Sequence, residues 1–358
     1  MLEFSTIKRR KSRKVMIKDV GVGGDSPITV QSMTNTKTDD IESTVNQIIS
    51  LENAGCDIIR VAVPDMASAE AISKIKEQIH IPIVADVHFD YRLAIEAIKQ
   101  GADGLRINPG NIGDAEIIKK VVETAKSFDV PIRIGVNSGS LEKDLLEKYG
   151  GPSPEALVES ALRHVEILEN MNFEHIVISL KSSDVLSCIH SYKLIAQKVD
   201  YPLHLGITEA GTLLTGTIKS SVGLGILLYE GIGDTIRVSL TGEPVDEVKV
   251  GFEILKSLNL RQYGINFISC PTCGRTQINL IKIANEVQEK LSHIKKPLKV
   301  AIMGCIVNGP GEAREADIGI AGGKKRVAIF KKGEIIKTVS EEDAVSELVK
   351  EIKHMINE

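Results

Sequence analysis

The sequence predicts an α/β protein in which a (β/α)8 TIM barrel is followed by a smaller α/β domain. The chain has 358 residues, which is too long for one small module and fits a large barrel with an appended domain. Up to about residue 245, short runs of Val, Ile and Leu alternate with amphipathic helical stretches, a pattern typical of parallel βα units. Eight such repeats over about 250 residues match the size of a TIM barrel.

The predicted barrel strands are short apolar runs separated by helical stretches: Ile28–Gln31, Ile58–Val63, Pro82–Val87, Gly104–Asn108, Ile132–Val136, Ile176–Leu180, Leu203–Ile207 and Thr235–Leu240. An open, doubly wound sheet is the alternative architecture, but no gap marks the point where its strand order would reverse. The longest interruption, residues 138–154, is rich in Gly and Pro and is expected to form a loop over the barrel mouth.

A second domain is expected after the barrel, because the pattern changes near Cys270. A helix over 277–293, four short strands and a final helix that begins after Ser340 predict a small α/β unit. We therefore expect a substrate-binding barrel domain over residues 1–260 and a smaller domain over residues 261–358.

Composition and charge exclude several classes of protein. The 44 Lys and Arg residues nearly balance the 48 Asp and Glu residues, so the net charge of -4 provides no global field to hold nucleic acid or an anionic membrane. No apolar run approaches the roughly 20 residues that cross a bilayer, and residues 1–14 lack the apolar core of a signal peptide, so a cytoplasmic protein is expected. The basic run from Lys8 to Lys14 is expected to be an N-terminal segment that is exposed to solvent.

Polar side chains at the predicted strand ends are the candidate ligand-binding residues, because the carboxyl ends of the strands meet at the mouth of a TIM barrel. They are Arg60, Asp86, His88, Arg106, Asn108, Arg133, Asn137, Ser179, Lys181, Thr208, Arg237 and Ser239. Any one of them could simply face solvent, but four Arg and one Lys beside buried strands would be costly without counter-charges. The ligand is therefore expected to be multiply anionic, and a diphosphate is the simplest fit to the planar fork of Arg.

Glu209, which follows the seventh predicted strand, is the candidate general acid or base at the same mouth, with Asp86 and His88 as a possible second group. An ion pair with one of the arginines is its alternative role.

Three cysteines in the second domain form a candidate metal centre, whereas Cys56 and Cys188 are expected in the barrel core. Cys270 and Cys273 make a CxxC pair, and Cys305 follows after 31 intervening residues in a loop rich in Gly and Pro. A thiol redox pair is an alternative for the CxxC alone, and structural zinc would need a fourth nitrogen or sulfur ligand, for which only His293 is near. Three thiolates with an oxygen donor from Glu312 favour a [4Fe-4S] cluster with one exchangeable ligand.

Six sequence strings identify a family. They are PITVQSMT (27–34), GLRINPGN (104–111), GITEAG (206–211), GIGDTIRVSL (231–240), ISCPTCGR (268–275) and NGPGE (308–312). In these strings, and over nearly its whole length, the chain resembles the bacterial two-domain 4-hydroxy-3-methylbut-2-enyl diphosphate synthases of the non-mevalonate isoprenoid pathway.

The resemblance implies an oxidoreductase that opens the ring of 2-C-methyl-D-erythritol 2,4-cyclodiphosphate and removes its C3 hydroxyl as water, using two electrons from flavodoxin or ferredoxin. It implies that Glu209 transfers a proton and that a [4Fe-4S] cluster is bound by Cys270, Cys273, Cys305 and Glu312. It further implies that the diphosphate is held by Arg60, Arg106, Asn108, Arg133, Asn137, Lys181, Arg237 and Ser239.

The position of the second domain predicts a head-to-tail homodimer. The last barrel helix, 244–258, returns the chain by about 22 Å towards the bottom of the barrel, away from the mouth. A cluster domain that starts there either swings back to the mouth of its own barrel or serves the mouth of a second subunit. We expect the second arrangement, which agrees with what the resemblance implies.

Two other functions are kept as alternatives. One is a Schiff-base TIM-barrel aldolase that acts on a phosphorylated substrate and carries a structural zinc domain, with Lys181 as the reactive amine. The other is a cluster-bearing regulator that binds RNA, although few aromatic residues are available for such a surface.

Overall fold

The computed structural model describes residues 7–108, 115–305, 315–324 and 326–357. The chain divides into two compact units, Met1–Arg261 and Gln262–Glu358. Glu312 lies outside the described residues. None of the helices in the described ranges has the length and apolar character needed to span a membrane.

The first unit contains a TIM barrel of eight parallel strands, as predicted, preceded by a hairpin of β1 (Lys14–Ile17) and β2 (Val20–Gly23). The barrel strands are β3 (Thr29–Met33), β4 (Ile58–Ala62), β5 (Ile83–Asp86), β6 (Gly104–Ile107), β7 (Ile132–Asn137), β8 (Ile176–Lys181), β9 (His204–Leu205) and β10 (Thr235–Ile236). They pair in the order β8-β7-β6-β5-β4-β3-β10-β9, and a bridge between Ile178 and Leu203 joins the two ends of the sheet.

Helices connect the barrel strands and surround them: Ile41–Asn53, Met66–Lys76, Tyr91–Lys99, Ala115–Ser127, Lys143–Tyr149, Pro154–Asn170, Val185–Ala196, Leu213–Tyr229 and Pro244–Ser257. Several begin at a side-chain cap. Asp65 accepts a hydrogen bond from the backbone N–H of Ser68, and Asp184 accepts one from that of Ser187. Residues 138–154, predicted to be a loop, instead contain a 3-10 turn and the helix Lys143–Tyr149.

The hairpin covers the bottom of the barrel, which the sequence pattern did not predict. Its residues Ile17 and Val22 pack against Ile58 and Val84, which lie at the amino-terminal ends of β4 and β5. Because all four side chains are buried together, the hairpin closes the end of the barrel opposite the mouth.

The basic run at the N-terminus is bound to the barrel, so the prediction of a solvent-exposed N-terminal segment was wrong. Arg9 Nη2 lies 3.0 Å from Oδ1 of Asp234, and Arg10 Nη2 lies 3.6 Å from Oδ2 of the same buried carboxylate. Arg10 also donates to the backbone carbonyls of Val199 and Tyr201, both at 2.6 Å. These contacts hold the N-terminal segment against the barrel.

The second unit is built on a five-stranded sheet in the order β11-β12-β13-β14-β15, with β11 to β13 parallel and β14 and β15 antiparallel. The strands are Ile265–Ser269, Leu298–Met303, Ile318–Gly323, Arg326–Lys331 and Glu334–Val339. Two helices, Leu280–Leu291 and Ala344–Asn357, share a core with this sheet that includes Val287, Ile302 and Leu348. The four predicted strands are present, and β11 is an additional one.

Candidate active site

Five cationic side chains from the barrel strands come together: Lys181 ends β8 and Arg237 follows β10, whereas Arg60, Arg106 and Arg133 lie within their strands. In the parallel register, Arg106 of β6 pairs with Asp86 of β5 and with Arg133 of β7, and Lys181 of β8 pairs with Asn137. Four of the five cations are no more than 8% exposed. We call the whole set the cationic cup: Arg60, Arg106, Arg133, Lys181 and Arg237.

Asp86 supplies the counter-charge on one side of the cup. Its Oδ1 lies 3.0 Å from Nη1 of Arg106, and its Oδ2 lies 3.5 Å from Nε of Arg60. His88, which is partly exposed, places Nε2 2.9 Å from Nη1 of Arg106. Burial by itself would raise the pKa of Asp86, but Arg60, His88 and Arg106 together hold that pKa well below its ordinary value. Asp86 is therefore ionised at neutral pH and holds two arginines of the cup.

Glu247 is a second buried carboxylate, and it was not among the predicted site residues. Its Oε2 lies 3.4 Å from Nε of Arg237 and accepts a hydrogen bond from Oγ of Ser32 at 3.1 Å. Its Oε1 accepts one from the backbone N–H of Leu240 at 3.0 Å. Glu is common in the first turn of a helix, as here in Pro244–Ser257, so nothing in the sequence pattern indicated this role.

Strand β3 supports the cup through three consecutive residues that the site prediction also omitted. Gln31 accepts a hydrogen bond from Nη1 of Arg133 at 2.6 Å. Ser32 donates to Glu247, and the Sδ atom of Met33 lies 2.9 Å from Nη2 of Arg60. All three belong to the string PITVQSMT, whose resemblance to the family was the only signal for them in the sequence.

Arg133 and Lys181 form no ion pair with a carboxylate of the described residues. Nε and Nη2 of Arg133 are buried without a hydrogen-bond partner in the part of the chain that the structure describes. Burial lowers the pKa of both side chains, and the neighbouring arginines lower it further. A buried cation without a counter-charge costs several kcal/mol, so these two positions are suited to an anionic ligand.

Two glycines, one inside a strand and one directly after a strand, make room for cup side chains. A Cβ atom added at Gly135 of β7 would lie 2.4 Å from Nε and 2.8 Å from Nη2 of Arg106. One added at Gly206, next to β9, would lie 3.3 Å from Nζ of Lys181. An isolated glycine inside a strand pattern often marks such a close approach, and that signal was present in the sequence.

Glu209 lies beyond the carboxyl end of β9 and is exposed, while the adjacent Thr208 is half-buried. The backbone φ of Glu209 is +52°, in the left-handed region that residues other than glycine seldom adopt. Strained backbone of this kind is concentrated at functional sites. The other predicted polar residues lie at their strand ends: Asn108 is buried, and Asn137 and Ser239 are half-buried.

In the second unit, Cys270 and Cys305 lie at the carboxyl ends of neighbouring parallel strands. Cys270 directly follows β11, and Cys305 is the second residue after β12. The backbone N–H of Gly304 donates a hydrogen bond of 3.1 Å to Sγ of Cys270. Backbone donors of this kind stabilise thiolate sulfur.

Cys273 is exposed, and a backbone hydrogen bond from Arg275 is the main factor that lowers the pKa of its thiol. By contrast, burial raises the pKa of Cys56 to about 12, which fits the expected core position. In the described ranges, which omit 306–314, no three His, Cys, Asp or Glu side chains form a group that could hold a metal ion. The ligand set Cys270, Cys273, Cys305 and Glu312 therefore stays a prediction.

Two domain families match the chain. The GcpE TIM-barrel domain matches residues 12–252, and the GcpE protein C-terminal domain matches residues 266–354. Together they cover most of both compact units.

Curated relatives match over almost the full length. The chain is 64% identical to the 4-hydroxy-3-methylbut-2-en-1-yl diphosphate synthase (flavodoxin) of Caldanaerobacter subterraneus, over 98% of this chain and 99% of that protein. It is 64% identical to the protein of the same name from Clostridium acetobutylicum, over 98% and 100%, and 59% identical to that of Geobacter sulfurreducens, over 98% and 99%.

Among solved structures, dihydropteroate synthase from Stenotrophomonas maltophilia matches with a TM-score of 0.50 and 15% identity, over 69% of this chain and 98% of that one. At this level of identity the likeness concerns the fold alone.

Proposed function

The chain belongs to the GcpE family, and we propose that it catalyses the reductive ring opening of 2-C-methyl-D-erythritol 2,4-cyclodiphosphate to 4-hydroxy-3-methylbut-2-enyl diphosphate in isoprenoid biosynthesis. One observation of the structure carries this proposal: a buried cationic cup among the barrel strands whose positive charge exceeds that of its two carboxylates. A cyclic diphosphate with two ionised phosphates would offset that excess. The aldolase alternative is not favoured, because the relatives that match the full chain are named as diphosphate synthases.

The cup would bind the diphosphate with unequal contributions from its members. Arg133 and Lys181, which lack a carboxylate partner among the described residues, would take the phosphates most directly. Arg60, Arg106 and Arg237 would add charge-assisted hydrogen bonds, because each keeps nitrogen atoms that its carboxylate does not use. The predicted neutral donors Asn108, Asn137, Thr208 and Ser239 would complete the contacts.

Asp86 and His88, which were predicted to bind the substrate, would act mainly by holding Arg106 and Arg60 in place. A carboxylate repels a phosphate at short range, whereas its ion pairs fix the two guanidinium groups before the ligand arrives. Glu247 would hold Arg237 in the same way.

Glu209 would transfer a proton to the hydroxyl that leaves as water. It is a carboxylate beyond the end of a barrel strand, with solvent access and a backbone conformation that the surrounding loop must impose. General acid catalysis needs a group with these properties close to the reacting oxygen.

The donor set of the second unit fits a [4Fe-4S] cluster. Cys270, Cys273 and Cys305 would be ligands, with Glu312 as the oxygen ligand; the bond from Gly304 to Cys270 and the lowered pKa of Cys273 support thiolates here. When bound, such a cluster supplies electrons one at a time. Flavodoxin, which the names of the relatives include, is the proposed electron donor, with ferredoxin as the alternative.

A head-to-tail homodimer would join each barrel to the cluster domain of a second subunit. Arg261, the last residue of the first unit, forms an ion pair with Asp57 and donates a hydrogen bond to the backbone carbonyl of Ile28. Asp57 directly precedes β4, and Ile28 directly precedes β3. The chain therefore leaves the barrel at the end opposite the mouth. Exposed apolar residues after the strands supply a surface for the partner at the mouth: Met66, Phe89, Leu186 and Leu214.

Mixing two inactive variants tests the shared site. Glu209→Gln would disable the barrel side and Cys305→Ser the cluster side. In a randomly mixed population half of the dimers are heterodimers, and one of their two sites combines the intact halves, so about a quarter of the wild-type activity should return. No recovery would show that each site is built within one chain.

The proposed reaction is tested on protein purified without oxygen. We expect about four irons and four sulfides per chain and, with reduced flavodoxin, conversion of the cyclodiphosphate to the linear diphosphate. Stoichiometric zinc without sulfide, even after anaerobic reconstitution, would overturn the electron-transfer mechanism.

A further inference from the structure

Lys181 is a lysine among arginines in the cationic cup, and it is 5% exposed. It ends β8, and Gly206, which directly follows the neighbouring strand β9, leaves room for its amine. The two carboxylates of the cup are already bonded, Asp86 to Arg60 and Arg106 and Glu247 to Arg237. Lys181 is therefore a buried amine whose charge no neighbouring carboxylate in the described part of the chain offsets.

The groups that face Lys181 from the surrounding elements are cationic or neutral. Burial is the largest factor that lowers the pKa of Lys181, and four arginines lower it further. The buried imidazole of His204 on β9 is held neutral by the same surroundings, and the thiol of Cys188 has a raised pKa of about 11. Glu209 is exposed beyond the strand end. The charged groups that act on the amine are Arg60, Arg106, Arg133 and Arg237, and its neutral titratable neighbours are His204 and Cys188.

The chemistry of the two cationic residue types decides which group of the cup gives up a proton. A guanidinium keeps its proton in proteins under all ordinary conditions, whereas a buried lysine amine loses its proton readily. Lys181 is thus the residue of the cup that loses its proton, and this loss relieves the repulsion among the five buried cations. A dianionic ligand has the opposite effect on Lys181, because two negative charges beside the amine favour its protonated form.

We propose, on the basis of the function proposed above, that Lys181 is uncharged in the ligand-free protein at neutral pH and takes up one proton from the solvent when the diphosphate binds. Each phosphorus of a cyclic diphosphate diester carries one strongly acidic group, so the ligand stays a dianion near neutral pH and exchanges no proton itself. Binding is then coupled to pH: where uptake is complete, the Kd rises about tenfold per pH unit.

Isothermal titration calorimetry measures this uptake directly. The cyclodiphosphate is titrated into the oxidised holoprotein at about pH 8, in Tris, HEPES and Tricine, whose ionisation enthalpies differ. No reductant is present, so no turnover occurs. The slope of the binding enthalpy against buffer ionisation enthalpy gives the protons taken up per site, expected to approach one. His88, which contacts Arg106, is controlled for by a variant of its own.

Two variants assign the proton to Lys181. Lys181→Arg keeps a permanent charge, so it should bind the ligand with a slope near zero, while His88→Asn should keep the wild-type slope. A wild-type slope of zero, or an unchanged slope in Lys181→Arg, would overturn the proposal. Absence of any binding would instead count against the proposed substrate.

A ligand-free measurement tests the state of Lys181 independently of the substrate. A lysine that is neutral when folded takes up a proton on unfolding, so the unfolded state binds more protons and stability rises with pH. The wild type should therefore gain stability relative to Lys181→Met between about pH 7 and pH 9, below the ordinary lysine pKa of about 10.4. A constant difference across this range would also overturn the proposal.

Discussion

Gly135→Ala tests whether the position of Arg106 in the cup matters for catalysis. The new Cβ would lie 2.4 Å from Nε, whereas ordinary van der Waals contacts begin near 3.4 Å, so the guanidinium must retreat by about 1 Å. That movement breaks the 3.0 Å contact with Asp86. Loss of a charge-assisted hydrogen bond costs about 1.5–3 kcal/mol, so kcat/KM should fall about 10- to 100-fold.

The stability change in this variant has three contributions. Overpacking costs about 1–3 kcal/mol, and replacing glycine by alanine returns about 0.4–1 kcal/mol through the unfolded state. The lost Arg106–Asp86 hydrogen bond adds about 1.5–3 kcal/mol. The free energy of unfolding, measured by urea denaturation, should thus fall by about 2–5 kcal/mol. The protein would stay folded, so lost activity reflects the displaced arginine.

Gly139→Ala is the matched control, because it lies four residues further along and an added Cβ meets no atom within 4 Å. It should keep kcat/KM within about twofold. In an Arg106→Ala background, Gly135→Ala should have no further effect on kcat/KM. Wild-type kinetics in Gly135→Ala, or an undiminished effect in the Arg106→Ala background, would refute the reasoning.

Three further predictions concern the other parts of the site. Glu209→Gln should lower kcat about 10²- to 10⁴-fold with a much smaller change in KM, measured by steady-state kinetics; a fall in substrate affinity alone would contradict the proton-transfer role. Cys273→Ser should abolish stoichiometric iron and sulfide after anaerobic reconstitution, whereas Cys56→Ser should keep both; equal iron in the two variants would remove Cys273 from the ligand set. Asp86→Asn should lower the free energy of unfolding at pH 7 by about 3 kcal/mol, because two buried arginines lose their counter-charge. The pKa of Asp86 is depressed in the folded protein, so this stabilisation is present above the unfolded value of about 3.9 and should shrink as pH falls below it; a difference that is constant with pH would count against the ion pairs.

The barrel was predictable because its strands are buried on both faces and therefore read as continuous apolar runs. Against such runs a charged residue stands out, which is why Arg60, Arg106 and Arg133 were identified from sequence. The hairpin was missed because Lys14–Ile17 and Val20–Gly23 are short and half-exposed, and short runs give a weak periodic signal.

Contacts between residues distant in sequence account for the other misses. The basic run was read as solvated because its partner, Asp234, lies more than 200 residues away. Glu247 was missed for a related reason: a carboxylate at a helix start is ordinary, and only the fold brings it to Arg237 and Ser32. Composition and spacing reveal which residues are unusual, but they do not reveal which two of them meet.

The ion pairs of the cup divide its cations into two groups with different effects on binding. Arg60, Arg106 and Arg237 are held by carboxylates before any ligand arrives, so their orientation costs no further ordering when the ligand binds. Arg133 and Lys181 have no such carboxylate in the described residues, so the ligand supplies the counter-charge for Arg133 and favours the protonated form of Lys181. The first group therefore contributes geometry and the second contributes most of the charge-driven affinity. Substitution of a carboxylate should accordingly disturb orientation, whereas substitution of Arg133 or Lys181 should weaken binding of any dianion that fits the cup.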